Sequence, residues 1–328
     1  MEGKADAVYA FYSGVKEKPV EWLWYPYIPY GKITVLQGDP GDGKSTFILN
    51  VAALLTQGRS MPDGFATDAH TVVYQCTEDN LADTVKPRLM AAGADCSKVA
   101  YILEGETQLT LDDSRIEETI RATSARMFVL DPLQSFLLQD GDMQSAVRMR
   151  NLLRKLGTIA AKYNCAVILV CHMNKAGNGK NLYRSLGSID IAAIARSILM
   201  ISRDESDGDI RCMFPVKSSL AQEGAGIGFV IDEHGCLQWT EIPRGFDEHE
   251  TEDGKKMLCR MKLGEMLKEH AKPSNDVLDC LIQIGISRRT VFTVKKQLGI
   301  QSFRKGGVWY WQMTDKMSEA EDAYEEEF

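Results

Sequence analysis

One stretch, Gly38-Asp39-Pro40-Gly41-Asp42-Gly43-Lys44-Ser45, restricts most strongly what this chain can fold into. It has the spacing G-x-x-x-x-G-K-S of a phosphate-binding loop, a pattern that carries meaning only between a strand and a helix. Both flanks are present. Ile33 to Leu36 is apolar and reads as the strand leading in, and Phe47 to Leu55 reads as the helix leading out. Gly38, Gly41 and Gly43 allow the backbone to curl so that its N–H groups point at phosphate oxygens. The following helix adds its positive N-terminal end. Lys44 is placed to reach the β- and γ-phosphates and Ser45 to hold Mg²⁺, while Asp39, Pro40, Asp42 and Thr46 complete the loop. The competing account is a chance glycine-rich turn before a buried helix, and it would make both flanks coincidental.

A length of 328 residues suggests about two domains, and 44% hydrophobic with 26% charged residues is the make-up of an ordinary globular protein. The net charge of −8 argues against a uniformly basic nucleic-acid coat and leaves room for a local basic patch. Eight cysteines show no C-x-x-C pair and no zinc spacing; Cys76, Cys165 and Cys171 lie in apolar runs and read as core residues of a reducing compartment. The start, Met1 to Lys4, is not that of a signal peptide, and the apolar stretch near Ile189 to Ile201 is broken by Asp190 and Arg196. A cytoplasmic protein without a membrane span is expected.

Ahead of the loop, Ala7 to Phe11 suggests a short helix, and Trp22 to Tyr30 reads as an extended aromatic strap. Covering the core edge suits its rings better than base stacking. After the loop, Thr71 to Cys76 reads as a buried strand ending in Thr77-Glu78-Asp79. Ligands of open α/β sheets bind at the carboxyl ends of strands, so Glu78 is a candidate to orient or deprotonate water. The bland alternative is a helix cap for the segment from Asn80, which suits Asp79 better than Glu78. Leu81 to Ala92 reads as a helix despite Pro87, Val99 to Leu103 as a strand, and Ser114 to Thr123 as a polar helix. Met127 to Leu130 is an apolar strand ending in Asp131, a candidate partner of Ser45 on Mg²⁺. The segment from Gln144 to Tyr163 places Met149, Leu152, Leu153, Leu156, Ala160 and Tyr163 at helical spacing. Ala166 to Cys171 is another buried strand, ending in His172-Met173-Asn174-Lys175. His172 is either a γ-phosphate sensor or a structural hydrogen bonder. The glycine-rich loop from Ala176 to Gly187 carries Lys180 and Arg184 and reads as a binding element. A helix from Ser188 to Ala195 then leads past Arg196 to strands Ser197–Ile201 and Ile210–Val216, the latter ending in Lys217, and a hairpin closes around Asp232 to Gly235. Strands alternating with helices predict an α/β fold with a mainly parallel sheet.

The expected division is an aromatic strap at 1–32, an ATPase-type core at 33–242, a charged linker at 243–253, a small helical domain at 254–313 and an acidic disordered tail at 314–328. In the small domain, helices from Gly254, Asp276 and Arg288 (capped by Ser287 and stopped at Gly299) precede a hairpin turning at Lys305-Gly306-Gly307. That is a winged-helix plan. From Ser274 to Met313 there are six basic residues (Arg288, Arg289, Lys295, Lys296, Arg304, Lys305) and two acidic ones, Asp276 and Asp279, which suits contact with a phosphate backbone. A protein-docking winged helix with a solvated basic face is the alternative.

On these residues the chain from about 20 to 240 resembles a RecA-like P-loop ATPase core, and within that class the RepA-like branch of DnaB-type hexameric helicases of mobile elements. The resemblance rests on the phosphate loop, Thr77-Glu78-Asp79, Leu130-Asp131-Pro132, Val170 to Lys175, and Arg184-Ser185-Leu186-Gly187-Ser188 running on to Arg196. It implies ATP and Mg²⁺ as cofactors, Glu78 as catalytic base, Asp131 as the Mg²⁺-side carboxylate and His172 as γ-phosphate sensor. It also implies Arg196, with Lys217, as cations reaching a neighbouring subunit's nucleotide in a homo-oligomer, a ring of six in the family. A salt bridge under the sheet is the structural account of Arg196. One departure concerns translocation: the loop Gln139 to Met143 is acidic, and only Lys175, Lys180 and Arg184 supply positive charge nearby.

Two functions follow. The first is an ATP-driven DNA motor, a replicative helicase or helicase loader of a plasmid, phage or mobile element. It would hold a single strand through core loops and a duplex through the C-terminal domain, with a primase or replication initiator as partner. The second is an ATP-gated DNA-binding regulator or scaffold without unwinding. A strand-exchange recombinase is disfavoured, since no filament-forming segment is seen at the N-terminus.

Overall fold

The computed structural model describes residues 9–105, 107–137, 146–172, 191, 194–203, 208–233, 235–241, 252–268, 270–283 and 286–313. In chain order the main part has a small hairpin, β1 (Trp22–Trp24) and β2 (Ile28–Pro29), then β3 (Ile33–Gly38), α1 (Lys44–Gln57), β4 (Val72–Cys76), α2 (Lys86–Ala91), β5 (Val99–Ala100), α3 (Ser114–Thr123), β6 (Met127–Asp131), α4 (Ala146–Tyr163), β7 (Ala166–His172), β8 (Ser197–Arg203), β9 (Ile210–Ser218), β10 (Ile227–Ile231) and β11 (Leu237–Thr240). The strands β3 to β11 form one sheet in the order β11-β10-β9-β8-β3-β7-β6-β4-β5. From β8 to β5 every pairing is parallel, and β9, β10 and β11 continue antiparallel from β8. The fold is thus α/β with a mainly parallel sheet, as the strand–helix alternation requires.

Parallel strands read as unbroken apolar runs because both faces are covered. Along β3, Ile33 and Val35 enter one core and Leu36 the other. The first core packs α3 (Ile116, Ile120) and α4 (Met149, Leu153, Leu156, Ala160) against the sheet; these α4 positions belong to the stripe read from helical spacing. A fully buried leucine of this kind contributes about 1.5–3 kcal/mol. The second core holds α1, with Phe47 and Leu55, and the aromatic strap. The strap is a hairpin whose Trp24 and Tyr27 are wholly buried. Trp24 stacks on Phe47 and donates its indole N–H to Asp63 Oδ2 at 2.9 Å. Its rings therefore serve packing, and the hairpin shares a core with β3.

Several elements differ from the sequence expectation, each for a local reason. Residues 9–11 are not helical, and a 3-10 turn occupies Tyr12–Gly14. The segment from Leu81 begins as a π turn over Leu81–Val85, with the Val85 N–H donating to Asn80 O at 3.0 Å, before α2 takes over. Pro87 lacks the N–H that a regular α-helix would use on the carbonyl of residue 83, so the wider turn avoids that missing bond. β5 stops at Ala100 because the backbone of Ile102 is taken by the Gln75 side chain, which accepts from its N–H at 2.8 Å. The helix expected from Ser188 lies almost wholly outside the described residues, as do the loops at Gln139–Met143 and Ala176–Gly187.

The C-terminal part has helices Glu252–Leu267, Ser274–Gln283 and Arg288–Gln297, with strands β12 (Lys272–Pro273), β13 (Gln301–Lys305) and β14 (Val308–Gln312) in the order β12-β14-β13. The first helix starts at Glu252, inside the stretch read as linker. Leu263, Val277, Leu281, Val291, Val294 and Trp311 make its own core. Ser287 caps the third helix by accepting from the Thr290 N–H at 3.1 Å. Gly306 and Gly307, at φ of 61° and 84°, form the two-residue turn between β13 and β14. Left-handed conformation at both positions marks the turn whose twist matches a hairpin. β12 was not expected; it pairs at the edge of the hairpin, where a proline is tolerated.

Candidate active site

The register of the parallel strands assembles one row of residues. Gly38 ends β3 opposite His172 at the end of β7, and Asp131 ends β6 opposite Cys76 at the end of β4. Thr77-Glu78-Asp79 follow Cys76, and the Thr77 N–H donates to Asp131 O at 3.3 Å. The phosphate loop, His172, Asp131 and Glu78 therefore share the carboxyl edge of the sheet.

The loop itself is a tight turn into α1. Gly41 and Gly43 have φ of 86° and 88°, and Phe47 N–H already donates to Gly43 O at 2.8 Å. The left-handed backbone is what favours glycine at position 43; a Cβ there would lie 2.5 Å from Ile231 Cδ1, the movable end of a half-buried side chain. Asp42 is buried and its Oδ2 accepts from the Asp39 N–H at 2.8 Å; burial pushes its carboxyl above the ordinary range. Pro40 and Gly41 are exposed, Ser45 and Thr46 half-buried. Lys44 is buried. Its Nζ donates to Gly38 O at 3.0 Å and Asp39 O at 2.7 Å, and burial lowers its pKa against the pull of Asp42 and Asp131. The ammonium is thus held at the mouth of the loop by neutral carbonyls, which an anionic phosphate outcompetes.

Asp131 is only 2% exposed. Burial raises its pKa, and hydrogen bonds from Tyr74 and Ser45 work against that. The Tyr74 hydroxyl donates to Asp131 Oδ2 at 2.7 Å. His172 Nε2 lies 3.5 Å from Glu78 Oε2, and the Glu78 side chain is 58% exposed, open to water. Among the described residues, His172 Nδ1 is buried without a hydrogen-bond partner. The cap of the segment after β4 is Asn80, which accepts from the Ala82 and Asp83 N–H groups, while Asp79 pairs with Arg88 at 2.6 Å. That leaves Glu78 facing the site.

For Mg²⁺, the donor set is the half-buried Ser45 hydroxyl and the buried Asp131 carboxylate beside a glycine cradle; hard oxygen ligands of this kind fit the ion. Among the described residues no group of three His, Cys, Asp or Glu side chains gathers elsewhere to hold a metal.

Arg196 and Lys217 are not brought to this edge. Arg196 N–H donates to Ile33 O and Arg196 O accepts from Ser219, and Lys217 is paired with Ile198. Arg196 stands where β3 begins, roughly 17 Å from the loop at about 3.3 Å per residue, and Lys217, beside Ile198 and so level with Val35, stands roughly 10 Å from it. The Arg196 side chain is exposed, with no salt bridge among the described residues.

Three neighbours of the site were not read from the sequence. Tyr74 is one; a tyrosine in a wholly buried strand needs a partner for its hydroxyl, and that was the available signal. Arg203 and Arg211, cross-strand partners on β8 and β9, are the others. Arg203 Nη2 donates to Gly41 O at 2.6 Å and its Nε lies 3.4 Å from Asp42 Oδ1. Arg211 is buried with its Cδ 3.5 Å from the Cβ position of Gly43.

Comparison with known proteins adds the following. Residues 5–178 match the family AAA_25, described as an AAA domain. Curated relatives named DNA repair protein RadA include those of Chlamydia pneumoniae, 26% identical over 151 residues, and Listeria monocytogenes, 28% identical over 151 residues. In each case the match covers 45% of this chain and 29% of the relative, so the chain spans under a third of their length. Among solved structures, a KaiC-like protein from Pyrococcus horikoshii OT3 aligns at 20% identity and a TM-score of 0.47, covering 65% of this chain and 91% of that one.

Proposed function

We propose that this chain, which belongs to the AAA domain family, is a RecA-like P-loop ATPase whose hydrolysis of ATP drives an action on DNA. The observation that carries the reading is the single row formed by the phosphate loop, His172, Asp131 and Glu78 at one sheet edge. In this reading the loop N–H groups and Lys44 bind the phosphates, with Lys44 leaving the carbonyls of Gly38 and Asp39 to do so. Ser45 and Asp131 would hold Mg²⁺, which when bound would offset phosphate charge. Glu78, exposed beside the site, orients a water and takes its proton as the water attacks the γ-phosphate. His172 lies between Glu78 and the start of the loop and reports the γ-phosphate to the segment that follows β7. Arg196 stands at the opposite sheet edge, with Lys217 part-way along the strands toward it, positions that suit cations offered to a neighbouring copy's site in a homo-oligomer.

For the DNA step, the C-terminal part supports a winged-helix reading. The exposed residues of its third helix include Arg288, Arg289, Phe292, Thr293 and Lys296, and Arg304 and Lys305 are exposed on the adjoining hairpin. That relatives are named for DNA repair favours a DNA-linked role without choosing among motors. A RepA-like helicase or helicase loader of a mobile element, working with a primase or initiator, is the specific form we propose. An ATP-gated DNA-binding regulator is the second reading, favoured by the basic helix face, since duplex binding there needs no translocation.

The test is the steady-state ATPase rate at fixed low salt with and without single-stranded DNA, for the intact chain and Arg196→Ala. Stimulation by the strand that is lost in the variant supports an oligomeric motor. A rate indifferent to single strands in a protein that binds duplex supports the regulator. No nucleotide hydrolysis in any condition refutes both.

A further inference from the structure

We propose that Tyr74 is a positioning residue for Asp131, and that its hydroxyl sets how tightly the site holds a divalent cation. The inference rests on the reading of Ser45 and Asp131 as the metal-side pair. Tyr74 lies on β4 directly opposite Val129 of β6, and Asp131 is two residues further along β6. Tyr74, Val129 and Met127 all enter the core that holds α1, and the alternation of β6 turns Asp131 to that same face, where Ser45 begins the helix. A diagonal neighbour two residues on is within reach of a long aromatic side chain. The phenol spans that diagonal and donates to Asp131 Oδ2 at 2.7 Å.

The arrangement is more than the filling of space. Tyr74 is 2% exposed, and a phenylalanine would fill the same volume without burying a hydroxyl. That hydroxyl is spent on the one carboxylate at the end of β6. Ser45, in the first turn of α1, lies close enough to Asp131 to favour its charged form. The short bond from the phenol holds the plane and rotamer of the carboxylate. With Tyr74 on Oδ2, the carboxylate keeps its orientation toward Ser45 when the serine oxygen turns its lone pairs to a cation. Without the phenol, the buried carboxylate is free to rotate away from Ser45, and the site must be reordered each time a cation enters. Groups that orient a ligand carboxylate in this way are typically worth roughly tenfold or more in metal affinity.

The experiment uses the full chain with mant-ADP as probe. Nucleotide affinity is measured first in excess EDTA, then Mg²⁺ is titrated and the midpoint of the fluorescence change is read. Thermal unfolding of each variant is followed in parallel. For Tyr74→Phe the expected result is a Mg²⁺ midpoint raised roughly tenfold, with metal-free mant-ADP affinity unchanged. An unchanged midpoint overturns the proposal. Asp131→Asn separates it from the reading beneath. If Asp131→Asn raises the midpoint and Tyr74→Phe does not, only the role of Tyr74 fails. If Asp131→Asn leaves it unchanged, the metal-side assignment fails, and this proposal with it. The double variant Tyr74→Phe/Asp131→Asn leaves no carboxylate short of a donor, so it remains informative should Tyr74→Phe alone unfold. Its midpoint should equal that of Asp131→Asn; a further shift would show that Tyr74 acts by another route.

Discussion

Replacing Gly43 by alanine tests whether the phosphate loop has the backbone described here. Gly43 sits at φ 88° and ψ 21° at the start of α1. A left-handed conformation costs an L-residue about 1–2 kcal/mol. The new Cβ would also stand 2.5 Å from Ile231 Cδ1, a contact that one of them must relieve by moving. Because Cδ1 is the far end of a flexible, half-buried side chain, shifting it costs only about 0.5–1 kcal/mol. Together the two effects give a loss of about 2 kcal/mol. They can be separated, because only the second involves Ile231. Ile231→Val deletes the Cδ1 methyl of a half-buried side chain and by itself should cost no more than about 1 kcal/mol. In Gly43→Ala/Ile231→Val the clash is gone and the backbone strain remains. Urea denaturation of the four proteins closes a double-mutant cycle. The double variant should recover up to about 1 kcal/mol relative to the sum of the single losses. A Gly43→Ala loss below about 1 kcal/mol would refute the left-handed loop backbone.

Further expectations follow from particular contacts. Leu153→Ala, in the core between α4 and the sheet, should cost about 3 kcal/mol in urea denaturation, since Leu153 is wholly buried. Asp113 caps α3 through the Arg115 N–H at 2.9 Å, so Asp113→Ala should cost about 1 kcal/mol at pH 7. Hydrogen bonding from the Arg115 guanidinium holds the Asp113 carboxyl below its ordinary range. Its contribution is therefore present above the unfolded pKa and is lost as pH falls through the lower folded value. The difference between wild type and Asp113→Ala should be flat from pH 5 to 8 and shrink below about pH 4. Arg289→Ala, on the exposed face of the third C-terminal helix, should weaken duplex binding and reduce the slope of log affinity against log salt by about 1.

What was legible in the sequence is what local spacing decides. The phosphate loop lies within eight residues, and its flanking strand and helix are continuous with it. Asp131 and His172 could be placed because each ends an apolar strand, and in a parallel sheet strand ends share an edge. The same rule bears on Arg196. It precedes its strand where Asp131 and His172 end theirs, and parallel pairing of β8 with β3 then puts it on the other edge. What was not legible depends on strand order and register. Tyr74 meets Asp131 only because β4 lies beside β6, across 57 residues of sequence. Arg203 reaches Gly41 only because β8 is the other neighbour of β3. The early end of β5 depended on a side chain, Gln75, competing for backbone that a strand would have used. No helix among the described residues is long and apolar enough to cross a membrane.

The account stands on the row at the carboxyl edge of the sheet, and one comparison addresses it most directly. Mant-ATP binding and ATP turnover should be measured side by side for the intact chain and for Glu78→Gln, which removes the proton acceptor and preserves the shape. The account predicts that the intact chain binds and hydrolyses ATP, and that Glu78→Gln binds with similar affinity while turnover falls at least a hundredfold, in line with the roughly 10²–10⁴ that general base catalysis supplies. Equal turnover by the two proteins, or no nucleotide binding by either, would contradict it.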